Sequence, residues 1–280
     1  MKKKRSVRML SISTIVGLSI GIFCVVNGVI GAAEDPLRSF FNPPSLFIIV
    51  GGAIGSVITS FPTQTLKTFG SVIRSAFITD RCDYAQDIQT LVEISAFARS
   101  KGTLALENLA EEYEKDHFLH KGILLIADGV SKESLVSTLK SEISHMKKRH
   151  ASGHAMMDLV ADSATSLGLL GTYIGLIPML ENLEDPASLG PLMAIELVSS
   201  FYGAFIAYVL FTPLSRRLKS FSSNEVLRDE LIIEGLVAIQ EGQSPRVIEE
   251  RLSGALTKKQ AKKMSRKHGE REPINFKEVA

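Results

Sequence analysis

The chain has 280 residues, a formal net charge of +2 and only two cysteines. Cys24 and Cys82 give no disulfide framework, and the six histidines show no metal-ligand spacing. The three closest histidines, His145, His150 and His154, are interpreted as part of a solvated helix face. With no nucleotide-binding loop and no nucleophile paired with a base, the sequence argues against a hydrolase or transferase. We expect no cofactor, no metal site and no nucleic-acid partner.

Four apolar stretches predict membrane-spanning helices, at about 9–32, 45–61, 156–180 and 192–214. A spanning helix needs roughly 20 residues, with a range of about 17–25. The second stretch is near the lower limit, and Asp158 and Asp162 dilute the start of the third. A cleaved signal peptide is the alternative for the first stretch, but its apolar run is longer than a signal core and no suitable cleavage site follows. The sequence therefore predicts an all-α membrane protein with four transmembrane helices.

The distribution of basic residues predicts the orientation of these spans. Lysines and arginines precede the first span, recur between the second and third, and follow the fourth. The two short connections are acidic or nearly so, as at Glu181, Glu184 and Asp185. The positive-inside rule then places both termini and the long middle region in the cytoplasm.

The regions outside the spans are predicted to be helical. Residues 87–101 carry apolar side chains at amphipathic spacing, namely Ile88, Leu91, Ile94 and Ala98, and Ser131 is a candidate N-cap. We expect the 2–3 loop (62–154) and the C-terminal helices (215–256) to pack together as a cytoplasmic helical domain. The membrane segments are 1–61 and 155–214. Residues 257–280 form a basic tail, poor in apolar residues, that we predict to be disordered.

Polar or small side chains recur along one face of each of the last two spans. On the third span, three- and four-residue steps connect Asp158, Asp162, Thr165, Leu169 and Thr172. On the fourth span, the same steps connect Glu196, Ser200, Gly203 and Ala207. Lipid penalises polar groups, so helices that keep them usually line a pore or a bundle interior. Because a short turn joins these helices, they would lie antiparallel and could present both faces to one space.

Simpler roles remain open for these residues. Small side chains let helices pack closely, Glu196 could extend to the membrane interface, and Thr172 could bond the carbonyl four residues before it. Alternatively, Asp162 serves ion passage, and the Thr172 hydroxyl replaces part of the hydration shell of an ion. No carboxylate suited to be the main ion carrier lies deep in either span, so we expect a partner chain to supply it.

Short motifs along the chain match one known family: NPPSL (42–46), VGG (50–52), LGLLGTYIGL (167–176), NLEDP (182–186), LGP (189–191), FYG (201–203), FTPL (211–214), ELIIEG (230–235), AIQEG (238–242) and PRVIEE (245–250). Through them, nearly all of residues 9–255 resembles the flagellar stator A subunits of the MotA/PomA family. Together the motifs are far more specific than any one of them.

The resemblance implies a pentamer of this chain around a dimer of a MotB/PomB-type B subunit in the lipid of the bacterial inner membrane. A transmembrane aspartate of the B subunit would carry the ion, and cytoplasmic charges would push on the rotor switch protein FliG. The torque residues of the family are an Arg and a Glu eight positions apart, as are Arg99 and Glu107, with Lys101 as a secondary candidate. Without the resemblance, these charges would be assigned to a solvated helical face.

The resemblance also bears on coupling and on the ion. The family proline that closes the fourth span matches Pro213, whose simpler role is to bend or end a helix. Thr165 replaces the other family proline. Thr172 stands where sodium-type members have Thr and many proton-type members have Ala, and it favours sodium over protons. Ser199-Ser200 replace a pair of Thr of the sodium-type members, and Ser200 keeps a hydroxyl. The predicted ion pathway comprises Asp162, Thr165, Thr172, Glu196, Ser199 and Ser200.

Two other functions remain as alternatives. The related ExbB/TolQ group forms proton channels that energise outer-membrane processes, but its members have three spans and lack the PRVIEE signature. A membrane scaffold, in which the polar faces only pack helices, would keep its ion flux and motility unchanged when Thr172 is replaced by Ala.

Overall fold

The computed structural model describes residues 9–32, 35, 39–79 and 83–256. The tail predicted to be disordered, residues 257–280, lies outside them, as does Cys82. Within the described residues, the only sheet is a two-residue antiparallel pair, β1 (Met9–Leu10) with β2 (Ile78–Thr79). Helices form nearly everything else, so the all-α prediction is confirmed.

In the first half of the described chain, the longest helices are α1 (Ile12–Ala32), α2 (Pro43–Ser60, π-helical over Phe47–Gly51) and α5 (Tyr84–Lys101). The short ones are α3 (Thr63–Leu66), α4 (Phe69–Ala76), α6 (Leu106–Ala110, followed by a 3-10 turn over Glu111–Tyr113) and α7 (His117–Ala127). Asp83 and Asp116 cap α5 and α7 by accepting backbone N–H bonds, as N-cap aspartates commonly do.

Two long helical stretches form the second half. α8 runs over 50 residues, Lys132–Glu181. α9 (Pro186–Ala204) continues through a π-helical segment, Phe205–Phe211, into α10 (Thr212–Gln240), and α11 (Pro245–Leu252) ends in a 3-10 turn at Ser253–Ala255. Pro213 does not end the helix, because it is the second residue of α10 and follows the π-helical segment.

Four helices are long and apolar enough to cross a membrane, as predicted. They are α1, α2, α8 and the continuous stretch Leu189–Gln240. α8 and α10 each extend beyond the apolar stretches 156–180 and 192–214.

The chain divides into two compact units. Unit 1 contains residues 1–81 and 148–222. In it, the Tyr202 hydroxyl donates to the Phe40 carbonyl and accepts from the Asn42 N–H at 3.3 Å. The Ser45 hydroxyl donates to the Ile195 carbonyl at 3.3 Å. These bonds join the start of α2, which carries the NPPSL motif, to α9, which carries the FYG motif.

Unit 2 contains residues 82–147 and 223–280. Its core is built from the apolar faces of α5, α6, α7, α10 and α11, and from the first part of α8. The side chain of Leu236 fills the space beside Gly122, and that of Leu91 fills the space beside Gly235. Large residues therefore interlock with glycines in this core, as close packing requires.

Candidate functional site

α8 and α9 touch along four glycines, which we call the glycine seam: Gly168, Gly171, Gly175 and Gly203. A Cβ atom on Gly203 would lie 2.5 Å from the carbonyl oxygen of Ala164, and one on Gly175 would lie 2.7 Å from the carbonyl oxygen of Leu192. These neighbours are backbone atoms, so no side chain could move aside. The seam brings the two helix backbones into direct contact, which small residues allow.

Ser199 lies in this seam and not on an exposed face. Its side chain is fully buried, and its hydroxyl lies 2.5 Å from the position of a Cβ atom on Gly171. Within the described residues, this hydroxyl has no hydrogen-bond partner. Sequence reasoning grouped Ser199 with Ser200 in the ion pathway. The structure separates them, because Ser200, one position further along α9, is exposed.

The exposed polar face of α8 is formed by Asp162, Thr165 and Thr172. Asp162 and Thr165 are exposed and Thr172 is half-buried in the single chain. The Thr165 hydroxyl donates to the Ala161 carbonyl at 3.0 Å, and the Thr172 hydroxyl donates to the Leu169 carbonyl at 2.6 Å. Because each hydroxyl hydrogen points to the backbone, the oxygen lone pairs remain available to a cation.

The second predicted row, on α9, is not a single exposed face. Ser200 is exposed and Glu196 is half-buried, with its backbone N–H packed beside Gly175. Gly203 and Ala207 are buried. Gly203 and Ala207 therefore serve helix packing, as the simpler interpretation proposed. Ser200 presents its hydroxyl at the surface.

Asp158 is anchored to α10 at the start of the apolar part of α8. One carboxylate oxygen accepts a 2.6 Å hydrogen bond from the Ser215 hydroxyl, and the other lies 2.6 Å from Nζ of Lys219. The sequence treated Lys219 only as an orientation signal. Opposite charges on two antiparallel helices joined by a short turn were the available clue to this pairing.

The histidines next to this ion pair are not a fully solvated face. His154 and His150 are half-buried, and Nδ1 of His150 lies 3.0 Å from the Ser222 hydroxyl. His145 is exposed, as expected. Across the described part of the chain, no group of three His, Cys, Asp or Glu side chains could hold a metal ion.

Arg217 connects α10 to the beginning of the chain. Its Nε donates to the Ala76 carbonyl at 3.0 Å, its guanidinium also donates to the Ser11 hydroxyl, and it lies 4.4 Å from the ring centroid of Phe221. Sequence reasoning counted Arg217 only as a basic residue beside a span, because nothing local in the sequence shows what it binds.

The candidate rotor-contact residues lie around the turn between α5 and α6. Arg99, Lys101 and Glu107 are all exposed, and Nζ of Lys101 lies 5.5 Å from the ring centroid of Phe97. Among the described residues, no ion pair involves Arg99 or Glu107. Gly102 ends α5 with φ of 86°, a conformation that side chains rarely adopt. The turn thus presents both signs of charge to solvent.

A partly buried charge cluster lies at the starts of α5 and α7. Arg228 of α10 binds Asp87 in the first turn of α5 at 2.9 and 3.0 Å, and it also binds Asp116, the N-cap of α7. Burial lowers the pKa of the Arg228 guanidinium, but the bonds to these two carboxylates outweigh it and raise the pKa above its ordinary value. Arg228 therefore holds the starts of two helices to a third.

Asp229 belongs to the same cluster and lies well beyond the apolar stretch 192–214. Burial raises the pKa of its carboxyl to about 7, against a lowering by Arg228, and nearby acidic groups raise it further. These acidic groups are Glu225 on α10, Asp116 on α7 and Glu142 on α8. The carboxyl therefore titrates near neutral pH.

Comparisons with known proteins agree with this architecture. The MotA/TolQ/ExbB proton channel family matches residues 110–231, and the motility protein A N-terminal family matches residues 15–102. Motility protein A of Cereibacter sphaeroides is 37% identical, over 91% of this chain and 98% of its own. The uncharacterized protein YtxD of Bacillus subtilis strain 168 is also 37% identical, over 85% of this chain and 88% of its own.

A solved structure shows the same fold. The flagellar MotAB stator complex from Bacillus subtilis contains a chain that is 30% identical and superimposes with a TM-score of 0.83. The match covers 90% of this chain and 98% of that one. The chain described here therefore belongs to the MotA/PomA family of multi-pass membrane proteins, the ion-channel subunits of flagellar stators, and is not an enzyme.

Proposed function

We propose that this chain conducts cations inward, sodium in preference to protons, and converts their flow into torque on the rotor switch ring. The exposed polar face of α8 carries the proposal. It places Asp162, Thr165 and Thr172 along one side of a spanning helix, beside the seam that fixes α9. The hydroxyl oxygens have the lone pairs that a partly dehydrated cation needs.

The carrier carboxylate comes from a second chain in this proposal. Among the described residues of the spans, Asp158 and Asp162 lie near one end and Glu196 near the other. A B subunit of the MotB/PomB type would supply the missing carboxylate, and the similarity to a MotAB stator complex supports this partner. We propose an assembly of five copies of this chain with two B subunits in the inner membrane, with both termini in the cytoplasm.

The rotor contact would be made by Arg99 and Glu107, with Lys101 beside them. Their exposure leaves them accessible to charges on FliG. Exposed ion pairs contribute only about 0–1 kcal/mol each, so such contacts can form and release repeatedly. Pro213 would transmit the effect of ion passage along α10.

The test of ion conduction uses cells in which this chain and its B subunit are the only stator. Swimming speed is measured against sodium concentration, with and without a proton uncoupler. We expect the speed to rise with sodium and to survive the uncoupler. Thr172→Ala should lower the speed or change its sodium dependence, whereas Thr172→Ser, which keeps the hydroxyl, should stay close to wild type.

Three outcomes would contradict parts of this proposal. Speed that ignores sodium and stops with the uncoupler would assign protons as the ion. Unchanged flux and motility in Thr172→Ala would favour a scaffold. A reporter fusion that places the N-terminus outside the cytoplasm would favour an ExbB/TolQ-like channel.

The rotor contact is tested by charge reversal. Arg99→Glu should reduce torque strongly, with protein level and ion flux unchanged. Lys140→Glu, which reverses another exposed charge in unit 2, serves as the matched control and should have little effect. Full torque in Arg99→Glu cells would remove Arg99 from the rotor contact.

A further inference from the structure

The row of oxygen-bearing side chains on α8 continues past Asp162 to Asp158. Asp158 lies four residues before Asp162 and seven before Thr165, so the three share one side of the helix. The carboxylate is not solvated alone, because Nζ of Lys219 and Oγ of Ser215 each lie 2.6 Å from one of its oxygens. A cation that moves along the polar face would reach this ion pair next.

The surroundings of the Asp158–Lys219 pair suit an exchangeable cation. Ser215 is only 1% exposed and fixes one carboxylate oxygen, while the side chains of Asp158 and Lys219 are 41% and 51% exposed. Water therefore reaches the contact between carboxylate and ammonium, and ion pairs of this kind are held weakly. The Ser215 oxygen keeps lone pairs beside the carboxylate, because its hydrogen is donated to Asp158.

We propose that Asp158 is a further cation site on the ion path, and that the Lys219 ammonium competes with the transported cation for it. An arriving cation displaces the ammonium from the carboxylate, and the returning ammonium displaces the cation towards the cytoplasm. Lys219 thus speeds release, because it replaces a departing cation before the carboxylate is left unneutralised. This inference rests on the proposed function and its orientation, and it concerns release at the cytoplasmic end.

A purely structural ion pair makes a different prediction from a competing one. If the pair only linked α8 to α10, loss of either partner would have the same effect, and cation affinity would not change. In a competitive site the two changes act in opposite directions. Without Lys219, the carboxylate holds the transported cation longer. Without the charge of Asp158, the site holds neither the transported cation nor the Lys219 ammonium.

The experiment measures rotation of single motors at low load, in cells with the full chain and its B subunit. The driving cation, sodium or the proton, is first identified from the wild-type swimming speed. Its cytoplasmic concentration is then set with an ionophore. The readout is the cytoplasmic concentration that halves the speed. Lys219→Met should lower it by about twofold to fivefold, and Asp158→Asn should raise it by a similar factor, on the scale of one exposed carboxylate–cation contact.

Further variants separate competition from folding. The double variant should behave like Asp158→Asn, and Lys219→Arg should stay near wild type because it keeps the charge. Ser215→Ala should shift the readout in the same direction as Asp158→Asn, and it provides the test if Lys219→Met fails to accumulate in the membrane. Lys132→Met removes another exposed ion pair, with Glu241, and should change nothing.

Equal shifts in Lys219→Met and Asp158→Asn, or no shift in either, would overturn the inference. Such a result in cells whose wild-type motors rotate would leave the proposed function intact. Wild-type motors that do not rotate under any cation gradient would instead contradict the proposed function itself.

Discussion

The two units hold their helices together in opposite ways. In unit 1, α8 and α9 meet through glycine backbones, and the one buried apolar cluster among the described residues is small: Ala76, Met157, Leu214 and Leu218. In unit 2, the buried apolar cluster has 26 residues, with large side chains from six helices. Large apolar residues such as Phe23, Phe47 and Ile177 remain exposed in unit 1.

This contrast reflects the difference between water and lipid as the surroundings of a helix. Burial of apolar surface stabilises a fold only where the alternative is water. In lipid that gain is absent, and close backbone contact and hydrogen bonds replace it. Unit 2 therefore has a core of its own, whereas unit 1 leaves apolar faces that lipid can cover.

The largest expected effect comes from the partly buried charge cluster in unit 2. Arg228→Met would leave Asp87 and Asp116, which are half-buried, without their cation. Removal of one partner from a buried pair costs about 3–5 kcal/mol, so we expect a cost near the lower end of this range. Hydrogen exchange of the full-length protein in detergent should show lost protection in α5 and α7. Unchanged protection would mean that the apolar core alone positions these helices.

A smaller effect is expected when the glycine seam is widened by one methyl group. Gly203→Ala places a Cβ atom 2.5 Å from a backbone oxygen, and overpacking of this kind costs about 1–3 kcal/mol. The thermal midpoint of the purified protein should fall. Gly190→Ala, on the same helix with nothing within 4 Å, is the control and should be close to neutral.

A pH-dependent effect is expected at Asp229. The pKa of this carboxyl is about 7 in the fold and 3.8 in its ordinary state, so the folded chain keeps a proton that the unfolded chain loses. Stability should therefore fall as pH rises from about 4 to about 7, and the loss is complete above that range. Asp229→Asn should flatten this fall and stabilise the protein by about 1–3 kcal/mol at about pH 8, since one pKa unit is about 1.4 kcal/mol.

Denaturant midpoints at acidic and alkaline pH check this prediction. The exposed Asp128→Asn is the matched control, because it removes a carboxyl of the same kind outside the cluster. A wild-type midpoint that changes between about pH 5 and pH 8 to the same extent as that of Asp229→Asn would contradict the assigned titration.

The smallest effect is expected at the surface of unit 2. Arg251 and Glu234 form a 2.6 Å ion pair, but both side chains are more than 40% exposed. Arg251→Met should cost only about 0–1 kcal/mol, because solvent screens such pairs. A loss as large as that of Arg228→Met would show that exposure does not separate the two kinds of ion pair.

Local patterns were enough to predict much of the fold. The four apolar stretches gave the spans, and the three- and four-residue spacing of Ile88, Leu91, Ile94 and Ala98 predicted the buried face of α5. Both inferences depend only on which residues of a single helix are apolar, and not on the neighbours of that helix. The caps at Asp83 and Asp116 also act locally, although sequence reasoning did not single them out.

The candidate site was less predictable, because it depends on which neighbour each face meets. Ser199 and Ser200 are chemically identical, and only the position of Gly171 decides that the first is buried. Arg228 and Lys219 looked like ordinary basic residues until the structure showed which carboxylates they bind. The row on α9 also changes from exposed at Ser200 to buried at Gly203, because Gly203 packs against the backbone of Ala164.

The wide turn at Phe205–Phe211 makes this stretch tolerant of a change in length. At its end the Thr212 N–H bonds the Ala207 carbonyl, five residues back, so the turn holds more chain than an α-helix of equal height. Loss of one residue there could be absorbed by a return to α-helical pairing, with Ser215 and Lys219 still directed at Asp158. The same loss within α9 would rotate part of the seam by about 100°. Related chains are therefore expected to differ in length at this turn before they differ within the seam.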